Sequence, residues 1–302
     1  MEYCREIPVL SRPSAVALGL FDGLHLGHRA VLGAAAACAP RLLPTVFTFS
    51  FSSPEEATKP DFANILTATR KEAILEKLGI ALECEPPFSA FRGLSPEEFF
   101  EHILRDRLKA AAVFCGEDFR FGKGAAGDCT LLRRLCAEAG VEFHAVPAVL
   151  DGGLPVSSTR IRRLLRDGEM EEAARLLGEP YAIDYPVSHG RQLGRKMGYP
   201  TINQLYAPGD LLPRCGVYAV LCRTEDGGVY RGVANIGRKP TLGGQDAPSA
   251  ETTLFGFSGD LYGQRVVTSF HRFLRPEQKF PDVETLFCQV AEDARQAELF
   301  FR

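Results

Sequence analysis

The apolar run Ala15-Val16-Ala17-Leu18 leads directly into Gly19-Leu20-Phe21-Asp22-Gly23-Leu24-His25-Leu26-Gly27-His28, and an alanine-rich stretch follows over 29–38. This reads as a strand, a glycine-bearing loop and a helix. A strand that turns straight into a helix finds its partner strands through crossovers, which points to an α/β layer structure. The junction also favours one kind of ligand. The first turn of the helix leaves backbone N–H groups unpaired, and the helix dipole puts its positive end there, so the turn suits phosphate.

The same alternation runs to about residue 178. Strands are expected over 16–20, 44–49, 111–115 and 141–146, and helices over 29–38, 69–78 and 129–139. Another helix starts at Ser95-Pro96-Glu97-Glu98, with serine as cap, proline in the first turn and acids near the positive end of the dipole. This pattern predicts a mostly parallel sheet with helices on both faces. After Gly178-Glu179-Pro180 strands dominate. The run 216–221, the turn Asp226-Gly227-Gly228 and the run 229–234 form a hairpin signal. A strand over 266–274 and a helix over 283–299 close the chain. The second half is therefore expected to be a small antiparallel β-barrel with a terminal helix, and the boundary to lie near 180–184.

Composition narrows the partners. A net charge of −3 with no long basic tract argues against extended nucleic-acid binding, and 45% apolar residues can fill two cores. No export signal is evident, and the longest apolar stretch is too short for a bilayer. The nine cysteines show no CxxC pairing. They read as free thiols in a reducing cytoplasm.

Three segments of the first half bear on chemistry. His25 and His28 lie three apart, and Gly23 and Gly27 allow close backbone approach. Imidazole donors fixed there would stabilise charge growing on phosphate oxygens as pyrophosphate leaves. The alternative is an Asp-Gly turn with two packed histidines. The segment 116–124, with Asp118 and Phe119, follows a strand end and is either a ligand loop or an ordinary glycine loop. Ser157-Ser158-Thr159-Arg160-Ile161-Arg162 starts a helix and either caps it or grips phosphate. No nucleophilic triad is present, and adenylyl transfer needs none, because the attacking oxygen already belongs to a phosphate.

In the second half, the glycine-rich segment 190–203 can fold over phosphates without being a Walker loop. Thr201 and Asn203 share a face of an extended chain and offer neutral oxygens to a hard cation such as Mg²⁺. Glu251 precedes a β-prone run. It is either a surface acid or a base held near a substrate hydroxyl.

Taken in order, GLFDGLHLGH, LSPEEFF, GEDFRFGKGAAGD, SSTRIRRLL, HGRQLGRKMGYPTIN, GVYAV, GVANIGRKPT, GDLYG and LRPEQKF resemble the prokaryotic bifunctional riboflavin kinase/FMN adenylyltransferase family over nearly the whole chain. The resemblance implies a Rossmann-like nucleotidyltransferase domain over 1–182 and a riboflavin-kinase-like barrel over 183–302. It also implies ATP, riboflavin, FMN and FAD as substrates and products and Mg²⁺ as cofactor; neither nucleic acid nor membrane is expected as partner, and a cytoplasmic monomer with room for weak self-association is expected. By the same comparison Gly19, Phe21, His25 and His28 would hold ATP phosphates, and Asp118 and Phe119 would line the FMN and adenylyl region. Ser158, Thr159 and Arg162 would bind phosphate. Gly194, Lys196, Gly198, Pro200, Thr201 and Asn203 would form the ATP–Mg²⁺ site, with Glu251 as the kinase base. The chain departs from the family at Leu20, usually asparagine, and at Thr253 and Gly256, usually histidine and aspartate. It also departs at Phe49-Ser50-Phe51-Ser52-Ser53-Pro54, where a proline–histidine–proline element is usual. These departures leave open a riboflavin kinase with weak or lost adenylyl transfer.

Overall fold

The computed structural model describes residues 1–51, 62–189, 201–240 and 246–302. They form two compact units, one of Met1–Phe62 with Lys71–Ser157, the other of Ala63–Arg70 with Ser158–Arg302.

The first unit is built on six parallel strands: β1 (Glu2–Cys4), β2 (Ser14–Leu18), β3 (Leu43–Phe47), β4 (Leu82–Cys84), β5 (Ala110–Gly116) and β6 (Glu142–Val146), in the order β1-β4-β3-β2-β5-β6. All five residues of β2 are buried. A strand covered on both faces has no polar side, which is why its sequence is continuously apolar or small. Helices α1 (Leu26–Ala36), α3 (Pro96–Glu98) and α4 (Cys129–Glu138) intervene, with the part of α2 (Ala68–Lys77) that follows Arg70. α3 opens with a capping box, Ser95 and Glu98 exchanging side-chain and backbone bonds, and then widens into a π-helix over Phe99–Arg107. A short hairpin, β7 (Leu150–Asp151) and β8 (Leu154–Pro155), ends this unit.

The second unit opens with α5 (Ser158–Asp167) and α6 (Met170–Leu177). Its sheet is antiparallel: β9 (Ala182–Ile183), β10 (Thr201–Leu205), β11 (Gly216–Arg223), β12 (Val229–Pro240), β13 (Asp246–Leu254) and β14 (Val267–Arg275), ordered β10-β13-β12-β11-β14-β9. The segment after β9 curls this sheet toward closure. Pro186 bridges to Arg265 beside β14, and Ser188 bridges to Asn203 on β10, the far edge. Gln204 reinforces this from inside: its amide donates to the Tyr185 and Val266 carbonyls, both at 2.7 Å, and its carbonyl accepts from Thr268 at 2.7 Å. The expected barrel is thus a curled sheet joined edge to edge by bridges. Segment 63–70 belongs here because Thr67 and Thr69 donate to the two carboxylate oxygens of buried Asp184, at 2.5 and 2.6 Å. Helix α7 (Val283–Phe300) is capped by Asp282 and packs on β12 and β11.

Candidate active sites

The first site lies where the parallel sheet changes direction. The chain leaves β2 for β3 and β4 on one side, then returns to place β5 on the other. In open α/β sheets the crevice at this switch point, beyond the C-terminal strand ends, holds the ligand. The loops that leave β2 and β5 carry the histidine motif and the Asp118-Phe119 segment, so the topology brings together two segments about ninety residues apart.

The β2 loop is under conformational strain. Phe21 and Leu24 hold φ of 49° and 42°, and both side chains are buried. Left-handed backbone at non-glycine residues persists where surrounding contacts over-determine it, a pattern that clusters at ligand sites. Phe21 folds back over Gly19, where a Cβ would stand 2.9 Å from the ring. The two histidines are placed differently from a simple shared helix face. His25 is the N-cap of α1, its Nδ1 accepting from the His28 backbone N–H at 3.2 Å. That bond fixes the tautomer, because an Nδ1 that accepts leaves the neutral ring's proton on Nε2. The two rings stack at 3.7 Å and 18°, and Phe21 meets His28 edge-on at 5.2 Å. Two imidazoles are thus packed into one orientation at the positive end of a helix.

Beyond β5, Phe119 N–H donates to the Gly116 carbonyl at 3.1 Å, and its ring stacks on Phe121 at 5.9 Å. Asp118 is exposed. Gly127 closes the loop against Phe121, with no room for a Cβ, which would stand 2.6 Å from that ring. Ser158 and Thr159 start α5, and buried Arg162 donates through Nε to the Ala63 carbonyl at 2.8 Å. These residues fall within the second compact unit.

The second site is a row across three strands. Asn203 on β10 stands opposite Glu251 on β13, and Glu251 opposite Asn235 on β12. Directly opposed residues share a face, so the three side chains line up, with Thr201 and its partner Thr253 two residues along. The reverse face, with Ile202, Thr252, Ala234 and Tyr218, is core. The Asn203 amide is held by Ser188: Nδ2 donates to Ser188 Oγ at 3.1 Å, and that hydroxyl donates to the Asn203 carbonyl at 3.0 Å. Asn203 Oδ1 is left buried with no hydrogen-bond partner in the protein. A fixed, unpartnered amide oxygen on the strand face that Thr201 shares suits a hard cation, so these residues fit Mg²⁺. Gly194, Lys196, Gly198 and Pro200 lie outside the described residues.

Two members of this site were missed in the sequence. Asn235 Nδ2 donates to Glu277 Oε1 at 3.2 Å, and a Cβ on Gly237 would stand 2.3 Å from that oxygen. Glu277 follows Arg275, whose guanidinium makes a forked pair with buried Asp293 of α7 at 2.9 and 2.7 Å. The segments GVANIG and LRPEQKF stood out in the sequence, but only the strand register shows which of their residues enter the row. A cavity of about 400 Å³ in the first unit, lined in part by Arg5, Pro86, His102 and Arg107, contains none of the expected site residues.

A strand–helix junction at the switch point of one unit and a carboxylate–amide row on the other are the two candidate sites. A family profile for FAD synthetase matches residues 8–160 and one for riboflavin kinase matches 177–301. The chain is 34% identical over 292 residues to the bifunctional riboflavin kinase/FMN adenylyltransferase of Escherichia coli K12, covering 94% of this chain and 91% of that one. It is 35% identical over 289 residues to the same enzyme of Pseudomonas fluorescens, covering 95% and 92%. A solved structure described as a macrolide-efflux protein from Streptococcus pneumoniae shares 30% identity, with a TM-score of 0.85 and 98% of both chains covered. Among the described residues no helix is long and apolar enough to cross a membrane. The chain belongs to the bifunctional riboflavin kinase/FMN adenylyltransferase family.

Proposed function

We propose that the two activities of this flavin-cofactor enzyme divide at residues 182/183, with adenylyl transfer over 1–182 and riboflavin phosphorylation over 183–302. In the kinase step, the ribityl 5′-hydroxyl oxygen of riboflavin attacks the γ-phosphorus of ATP. Glu251 takes the hydroxyl proton, the bond to the bridging oxygen breaks, and ADP leaves FMN. Thr201 and Asn203 would hold Mg²⁺, which when bound neutralises phosphate charge. In this reading Gly194, Lys196, Gly198 and Pro200 complete the ATP site. The observation that supports this reading is the register of Asn203 against Glu251.

In the second step a phosphate oxygen of FMN attacks the α-phosphorus of another ATP and pyrophosphate leaves, giving FAD. His25 and His28 donate to phosphate oxygens as charge develops, while Gly19 and Phe21 shape the backbone around them. Asp118 and Phe119 line the FMN and adenylyl region, and Ser158, Thr159 and Arg162 supply a further phosphate grip. The enzyme acts as a cytoplasmic monomer.

One observation favours a second reading, in which the kinase is intact and adenylyl transfer is weak. Phe49 and Phe51, at the loop after β3, pack on each other and on Phe88 with ring distances of 5.1–5.7 Å, so this loop begins as an aromatic cluster. Incubation of riboflavin with ATP and Mg²⁺, resolving FMN and FAD over time, decides between the two. FMN followed by FAD and pyrophosphate supports the main reading, FMN alone supports the second, and neither product refutes both.

A further inference from the structure

We propose that Cys115 and Cys129 are a reversible thiol–disulfide pair, oxidised by a hydroperoxide, whose cross-link clamps the loop between them. Both thiols are free, and their sulfurs stand 3.7 Å apart although 14 positions separate them in sequence. Regular elements hold both. Cys115 is the penultimate residue of β5 and is wholly buried. Cys129 is the first residue of α4, whose cap, Asp128, accepts from the Leu131 N–H at 2.9 Å. The chain between the two sulfurs is the loop that follows β5, with Asp118 and Phe119. One carbonyl ties the pair to that loop. Gly116 O accepts from the Cys129 thiol at 3.3 Å and from the Phe119 N–H at 3.1 Å, the second bond closing the turn at Glu117-Asp118. A disulfide has no S–H, so oxidation removes the thiol donor from Gly116 and puts a covalent tie across the base of the loop.

Exposure sets the order of reaction. Cys129 is half-buried and Cys115 is closed off from solvent, so the oxidant meets Cys129 first. The Cys129 sulfur, once it has given its proton to water, attacks one oxygen of hydrogen peroxide. The O–O bond breaks, hydroxide leaves, and Cys129 becomes a sulfenic acid. The Cys115 sulfur then attacks Cys129 Sγ, and the sulfenic oxygen departs with the Cys115 proton as water. In sum, two thiols give up two electrons and two protons, and the peroxide is reduced to two waters. Burial pushes the Cys115 thiol up, and the facing Cys129 adds to that through its charge and hydrogen bond. The charge contribution vanishes once Cys129 is no longer a thiolate, so the first oxidation eases the second. The effect on catalysis rests on the reading that this loop serves adenylyl transfer; the cross-link itself does not.

Hydrogen peroxide tests the pair in the full-length chain, with the cysteine peptides mapped by mass spectrometry before and after dithiothreitol. A Cys115–Cys129 cross-link that the reductant reverses is expected. Cys288→Ser, which removes an exposed thiol, should form it as the parent does, and Cys129→Ser should abolish it. Cys129 is half-buried, so its variant should fold even if Cys115→Ser does not. The cross-link should slow amide exchange across the loop by about tenfold or more, because it restrains the opened loop as well as the closed one. FAD formation from supplied FMN should fall about fivefold or more, and FMN formation should stay within about twofold. FAD formation untouched by the cross-link would count against assigning this loop to adenylyl transfer, while the map and the exchange rates would still decide the pair. The proposal is overturned if Cys129 accumulates as sulfinic acid with Cys115 free, if Cys115 pairs with Cys136 instead, or if the cross-linked loop exchanges as fast as the reduced one.

Discussion

β2 and β5 of the first unit are almost wholly enclosed and deliver their candidate site residues beyond their C-terminal ends, whereas β10, β12 and β13 of the second carry theirs along one face. The first arrangement gathers its candidate residues at a helix terminus and in a strained loop. It therefore depends on local conformation, and its residues are close in sequence. The second builds a site from side chains aligned across strands, so it depends on register. A one-residue slip of β13 would turn Glu251 onto the core face and Thr252 outward. Phosphate chemistry can thus be assembled either at the end of a sheet or on its surface, and the two constructions should fail differently.

The sharpest break is expected at the strand-face site. Glu251→Gln keeps the shape of the side chain and removes the proposed proton acceptor. FMN formation should fall roughly 10²–10⁴-fold, the usual range for a general base. FAD formation from supplied FMN should continue at the parent rate. Separate assays of ADP release and pyrophosphate release measure the two steps, and a parallel loss of both would show that the sites are not independent. The complementary change, His28→Ala, removes the donor proposed for the developing phosphate charge. FAD formation should fall roughly 10²–10³-fold, with most of the effect in kcat, because such donors act chiefly in the transition state. Kinase activity should be retained.

The same contrast explains what could be read in advance. The parallel-sheet unit was legible because its signals are contiguous. The run 15–18 is buried in β2, Ser95 caps α3 as its spacing implied, and the histidine motif lies at a strand–helix junction. The structure adds the strain at Phe21 and Leu24 and the capping role of His25. Both depend on backbone angles that composition does not specify. The pairing of Asn203 with Glu251 spans 48 positions, and Asn235 and Glu277 join only through cross-strand contact. Lys71 likewise meets Glu83 of β4 and Glu85 just beyond it at 2.9 and 3.2 Å. Side chains that find each other through tertiary packing leave no periodic trace in the sequence.

The dependence on register can be tested away from the chemistry. Gln204→Leu replaces a buried amide that ties β10 to the Tyr185 and Val266 carbonyls, leaving two acceptors without their donor. At about 1–3 kcal/mol per orphaned group, the second unit should lose roughly 2–6 kcal/mol. Denaturant unfolding measures the loss. Kinase activity near the shifted midpoint should fall before adenylyl transfer does. Unchanged stability would mean that strand pairing alone sets the register.

The smallest effect should come from Ser95→Ala, which probes local conformation in the first unit. Ser95 Oγ accepts from the Glu98 backbone N–H at 3.1 Å, and Glu98 Oε2 accepts from the Ser95 N–H at 2.8 Å. This box lies behind the loop that follows β5: Lys123 N–H donates to the Leu94 carbonyl at 2.7 Å, and a Cβ on Gly122 would stand 2.7 Å from Pro96 N. Loss of the serine cap should cost about 1 kcal/mol. The loosened turn should slow FAD formation modestly and leave FMN formation untouched. A pH series isolates the other half of the box. The Ser95 N–H holds the Glu98 carboxyl below its ordinary value of 4.5, so its contribution is complete above that pH. It is lost as the pH falls through the lower folded-state value. Glu98→Gln should therefore destabilise the protein at neutral pH, and the gap from the parent should close on acidification below 4.5. A gap that stayed constant through that range would show that the carboxylate contributes through shape rather than charge.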